Sequence, residues 1–90
     1  MTGKHNDSLL QFPCDFPIKV IGRRGDGFQR LVADIVGRHA PDLDLDTLRT
    51  RTSRNGAYQS VTLVVRADNR AQLDAIYREL TAHEQVMMAL

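Results

Sequence analysis

The residues best placed to do chemistry lie in Gly22-Arg23-Arg24-Gly25-Asp26-Gly27-Phe28, where glycines free the main chain for close approach and paired arginines can bind an anion. Three readings of this stretch compete. With a helix before Gly22, the Gly22-Arg23-Arg24-Gly25 spacing, followed by Phe28 and Leu31, is that of the loop with which a KH domain clamps nucleic acid. With a strand before it, the same residues make a strand-to-helix turn that binds nothing. In the third reading, main-chain N–H groups at the following helix start, flanked by Arg23 and Arg24, hold a carboxylate or phosphate of a small ligand. Asp26 competes for those groups, since its own carboxylate can cap them, with Gln29 reaching back as in a capping box.

A second candidate is a set of cations, Lys19, Arg49, Arg51 and Arg66, around Tyr58. An RNA recognition motif stacks bases on two or three aromatic residues of its central strands, and here Tyr58 is followed by Ser60 and Thr62. Without that platform the cations are expected to solvate an open face or rim a contact with another protein. Asp42-Leu43-Asp44-Leu45-Asp46 begins like a calcium loop, but Thr47 stands where Gly is needed and Ser53 where Glu is needed. Cys14, between Pro13 and Asp15, has neither a helix start nor a base beside it to lower its pKa. His39 and His83 fall at helix ends and share no metal-ligand spacing with each other or with Cys14. These patterns predict no catalytic residues, no metal and no cofactor.

What must position these residues is one small domain. Ninety residues, 42% of them hydrophobic, suffice for one core, and a net charge of +1 supplies no global attraction to nucleic acid or anionic membrane. The single cysteine excludes an internal disulfide, the start Met1-Thr2-Gly3-Lys4 lacks an apolar signal core, and no run approaches the roughly 20 apolar residues of a membrane span. A cytoplasmic location is therefore expected. Residues 1–11 are expected to form a flexible polar tail, with Leu9, Leu10 and Phe12 the first able to dock on a core, and 12–90 the domain.

Phe16, Ile18 and Val20 alternate with Pro17, Lys19 and Ile21, and Pro13 with Pro17 leaves no room for the helix a KH domain requires, so a strand over 15–22 is predicted. Phe28, Leu31, Val32, Ile35 and Val36 then mark one face of a helix that closes at Gly37, His39 and Ala40-Pro41. A strand over 46–52, a type I′ turn at Asn55-Gly56 and a central strand over 57–67 follow. Asn69 and Gln72 open a second helix with the stripe Leu73, Ile76, Tyr77 and Leu80, and 85–90 end in a short strand. The order βαββαβ predicts an α+β, ferredoxin-like two-layer sandwich, in which two helices cover one face of a four-stranded antiparallel sheet. Val20, Val61, Leu63 and Val65 would meet the helices, and Lys19, Arg49, Arg51, Tyr58 and Arg66 would stay on the open face.

Leu9-Leu10-Gln11-Phe12-Pro13-Cys14-Asp15-Phe16-Pro17-Ile18-Lys19-Val20-Ile21-Gly22 resembles the opening of the YbeD-like family of small bacterial proteins. Arg38-His39-Ala40-Pro41 and Asn55-Gly56-Ala57-Tyr58-Gln59-Ser60-Val61 look like further segments of it, so that the likeness runs from Leu9 to Leu90. The resemblance implies a fold similar to ACT regulatory domains, which commonly bind small effectors and pair with one another. It brings no agreed biochemical activity, only a genomic association with lipoate metabolism. The expected role is thus a non-enzymatic regulatory or interaction module for a partner protein or small metabolite, able to form a homodimer. Nucleic-acid binding through the glycine loop or the basic sheet face is the alternative.

Overall fold

Alternation decides the first strand. Cys14, Phe16, Ile18, Val20 and Gly22 face one way and Asp15, Pro17, Lys19, Ile21 and Arg23 the other, the two-residue repeat of a sheet with one buried face. In the computed structural model, which describes residues 11–90, this strand is β1, Cys14–Arg23. The expected tail, apart from Gln11, lies outside the described residues, as do Leu9 and Leu10. Phe12 packs against the core as expected, and a cis Phe12–Pro13 peptide leads from it into β1.

β3, Tyr58–Ala67, lies antiparallel to β1 along its full length, from Cys14 opposite Ala67 to Arg23 opposite Tyr58. β2, Arg49–Thr52, borders β3, and β4, Val86–Ala89, borders β1, giving the sheet order β2-β3-β1-β4. The helices are α1, Phe28–His39, and α2, Arg70–Ala82. The predicted βαββαβ ferredoxin-like sandwich is thus the observed fold.

Its core lies between the sheet and the helices. Ile18, Val20, Val61, Leu63 and Val65 from the sheet and Val32, Val36, Ile76 and Leu80 from the helices are all fully excluded from water. Burying such a side chain is worth about 1.5–3 kcal/mol, so this layer carries most of the stabilisation. The Asn69 side chain caps α2 by accepting from the Gln72 N–H at 2.8 Å. Gln72 in turn accepts from the Asp68 N–H at 2.6 Å and donates to the His39 carbonyl at 2.9 Å, clasping the end of α1 to the start of α2.

Three local expectations are corrected. Asp26 does not cap α1: Gly27 holds the N-cap position at φ 85°, a left-handed conformation that glycine adopts without strain, and no side-chain cap hydrogen bond forms. The second strand begins only at Arg49, because Leu45–Thr47 turn into a 3₁₀ helix whose start is capped by the Asp44 carboxylate accepting from the Asp46 N–H at 2.9 Å. The hairpin between β2 and β3 is not a type I′ turn. Only Gly56 has positive φ there, at 78°, and the Gly56 N–H closes the turn on the Ser53 carbonyl at 2.9 Å. β4 pairs with β1 across a bulge, Val86 opposite Gly22 and then Met88 opposite Ile21, which leaves Met87 as the extra residue.

Candidate functional site

The glycine stretch divides between two elements. Gly22 and Arg23 end β1, and Arg24 to Gly27 form the connection to α1. The residues preceding Gly22 are therefore strand, where a KH clamp needs a helix. A side chain at Gly22 has no room, since a Cβ there would sit 2.4 Å from Phe28 Cε1 and 2.5 Å from the Gln85 carbonyl oxygen. Gly22 thus lets α1 and the entry to β4 close on the sheet. A Cβ at Gly25 would meet nothing within 4 Å.

The connection is held from the hairpin side. The Arg24 N–H donates to the Ala57 carbonyl at 3.0 Å, and Gln59 Nε2 donates to the Gly25 carbonyl at 3.1 Å. Beside it is a hollow of about 450 Å³, lined by Arg23, Arg24, Gly25, Asp26 and Phe28 together with Glu84, Gln85 and Met87. Sequence reasoning missed the last three. Glu84 and Gln85 come from the turn before β4 and Met87 from β4 itself, some sixty residues downstream, and the bulged pairing of β4 on β1 brings them here. With Asp26 released from capping, the rim carries two cations and two carboxylates over exposed main chain.

The open face of the sheet holds the second candidate, and its five predicted residues do not gather. Strand register puts Lys19 and Arg49 across from Thr62, Arg51 across from Ser60 and Arg23 across from Tyr58. The Arg49 guanidinium turns back to donate to the carbonyls of Asp46 at 2.8 Å and Leu48 at 3.0 Å. Arg66 pairs with Asp15 at 3.3 Å, at the far end of β3. Lys19, Arg51 and Tyr58 do meet, in an open hollow of about 540 Å³ whose lining also includes Ile21, Arg54 and Ser60. Arg54 was not foreseen, although its place next to Asn55-Gly56 is the signal that puts it at the hairpin tip.

The remaining polar candidates make joints in the fold. His39 Nε2 lies 2.7 Å from Glu79 Oε1, and Arg38 pairs with the same carboxylate, locking the end of α1 to α2. His83 Nδ1 accepts from the Gln85 N–H at 3.1 Å. Cys14 is half-buried at the start of β1, opposite Ala67. Among the described residues no three His, Cys, Asp or Glu side chains converge as metal ligands would, and no helix is long and apolar enough to cross a membrane.

A family model described as a protein of unknown function, DUF493, matches residues 7–90. A UPF0250 protein of Nitrosomonas europaea is 49% identical over 84 residues, which cover 93% of this chain and 97% of that one. Another from Azotobacter vinelandii is 50% identical over 82 residues, covering 90% and 89%. A third, from Neisseria meningitidis serogroup A, is 45% identical over 87 residues, covering 97% and 96%. Among solved structures, the ACT domain from the GTP pyrophosphokinase of Chlorobium tepidum superposes with a TM-score of 0.64 at 15% identity, covering 84% of each chain. The solution structure of protein HP0495 from H. pylori gives a TM-score of 0.68 at 15% identity, covering 90% of this chain and 85% of that one. The YbeD-like resemblance and the ACT-like fold expected from the sequence both stand.

Proposed function

The chain belongs to the DUF493 family and has an ACT-like fold, and from that premise we propose that it is a non-enzymatic regulatory or interaction module that acts by binding a small metabolite or a partner protein. The observation that carries this reading is the loop hollow. Arg23 and Arg24 line it together with Asp26 and Glu84. Charges of both signs at one rim suit a ligand that itself carries both, such as a zwitterionic metabolite or the charged tip of a protein loop. No nucleophile stands with a base there, so the arrangement favours recognition over reaction. The link to lipoate metabolism that the YbeD-like resemblance implies makes the proteins and metabolites of that pathway the first to test.

The test is a melting-temperature screen of zwitterionic metabolites, run beside recovery of tagged protein from its own cytoplasm. A ligand present at 100 times its Kd should stabilise the fold by about 2.7 kcal/mol, and the gain should vanish in Arg24→Ala with Glu84→Gln. Recovery of nucleic acid alone, retained in a salt-dependent way and lost in Arg23→Ala with Arg24→Ala, would replace this reading with the nucleic-acid one.

A further inference from the structure

The open-face hollow differs from the loop hollow in the sign of its charge. It is lined by Lys19, Arg51 and Arg54, with no carboxylate among its lining residues. Four other arginines are compensated: Arg38 by Glu79, Arg66 by Asp15, Arg70 by Asp74, and Arg49 by two main-chain carbonyls. The cations of the hollow have no ion pair with any other described residue. Like charges gathered from two strands and a turn repel one another, and that repulsion becomes attraction when an anion sits between them.

The hollow also offers a flat surface in a fixed place. Tyr58 is 41% exposed at its rim, and Ile21 contributes an apolar floor beside Ser60. The hairpin carrying Arg54 and Tyr58 is tied through Ser53, whose N–H donates to the Tyr58 carbonyl at 2.8 Å and whose Oγ accepts from the Tyr58 N–H at 3.0 Å. Asn55 adds a further tie by accepting from the Ala57 N–H at 3.1 Å. The main chain at Tyr58 and the turn below Arg54 is thus set before any ligand arrives, which lowers the ordering cost of binding.

We propose that this hollow is a second binding site, for a small molecule that joins a phosphate to a flat ring, with the phosphate between Lys19, Arg51 and Arg54 and the ring on Tyr58. A volume of about 540 Å³ accommodates one such molecule. A nucleic-acid strand needs a continuous row of free cations for its successive phosphates. Here the row stops, because Arg49 is folded onto its own turn and Arg66 is paired with Asp15. The site goes beyond the loop hollow of the proposed function and does not depend on it.

The experiment is amide NMR on the full chain, titrated separately with adenosine diphosphate, inorganic phosphate and an eight-nucleotide strand. Adenosine diphosphate should move the amides of Lys19, Arg51, Arg54 and Tyr58 saturably. Arg51→Ala with Arg54→Ala, both exposed positions, should weaken that binding at least tenfold while the spectrum stays dispersed. Tyr58→Ala should weaken binding of adenosine diphosphate and leave phosphate unaffected. Absence of saturable shifts up to about 5 mM would overturn the proposal, since that marks affinity weaker than about −3 kcal/mol. Shifts confined to Arg23 to Gly27 and Glu84 would overturn it too, while supporting the loop hollow. Tighter, steeply salt-dependent binding of the strand, spreading to Arg66, would overturn it in favour of a nucleic-acid surface.

Discussion

Replacing Gly22 with alanine adds one methyl group at the most crowded of the described glycines. The new Cβ would lie 2.4 and 2.5 Å from Phe28 Cε1 and Cζ and 2.5 Å from the Gln85 carbonyl oxygen, where ordinary contact begins near 3.4 Å. Both obstacles resist movement: the Phe28 ring is 2% exposed in the core, and the Gln85 carbonyl belongs to the main chain leading into β4. Overpacking one group into a filled core costs about 1–3 kcal/mol, and two clashes of nearly 1 Å place this substitution at the top of that range. For a domain of this size, about 3 kcal/mol corresponds to a loss of roughly 12–24 °C in melting temperature. Urea unfolding followed by far-UV circular dichroism measures it, the chain having no tryptophan. Gly25→Ala is the control, expected to stay within about 0.5 kcal/mol because its Cβ meets nothing. Phe28→Leu, made together with Gly22→Ala, should recover part of the loss as a coupling energy. A cost below about 1 kcal/mol for Gly22→Ala, or one equal to that of Gly25→Ala, would show that Gly22 serves turn flexibility and not close approach.

Asn69→Ala removes the side chain that accepts from the Gln72 N–H at the start of α2 and should cost about 1 kcal/mol by urea unfolding, with Asn69→Asp retaining most of the cap. Burial raises the pKa of Tyr77 above 10.0, so the folded state holds this proton more tightly than the unfolded one. The contribution is fully present below pH 10 and is lost as pH rises through the folded value. Tyr77→Phe should therefore gain stability relative to the parent between about pH 9 and 11, and a difference independent of pH across that range would refute the burial effect.

The elements that announce themselves in the sequence are those whose reason is local. Phe16, Ile18 and Val20 alternate, the α1 and α2 stripes keep helical spacing, and Asn69 with Gln72 is a cap readable by eye; each appears in the structure. What escapes is decided by partners distant in sequence or by one backbone angle. Asp26 reads as a cap until Gly27 takes that position in a left-handed turn. Asp46 and Thr47 alternate like strand residues until the Asp44 carboxylate draws them into a 3₁₀ turn. The candidate sites divide in the same way. Lys19, Arg51 and Tyr58 share a face because strand parity is legible, whereas Glu84 and Gln85 join the glycine loop only through the β4 register. The crowding at Gly22 is invisible for the same reason, since one of its two obstacles is a carbonyl sixty-three positions away.

The β4 bulge bears on how this protein would age under oxidants. By giving Met87 an extra place, it leaves Met87 and Met88 both outside the core, 54% and 50% exposed, while Ala89 turns back to pack. Among the described residues the buried layer contains no sulfur, being built from valine, isoleucine, leucine, alanine and Phe28, with half-buried Cys14 packed against it. Peroxide therefore meets two adjacent thioethers on an edge strand before anything the fold depends on. Their sulfoxides, which methionine sulfoxide reductases can reverse, would change the polarity of that edge and leave the interior chemically intact.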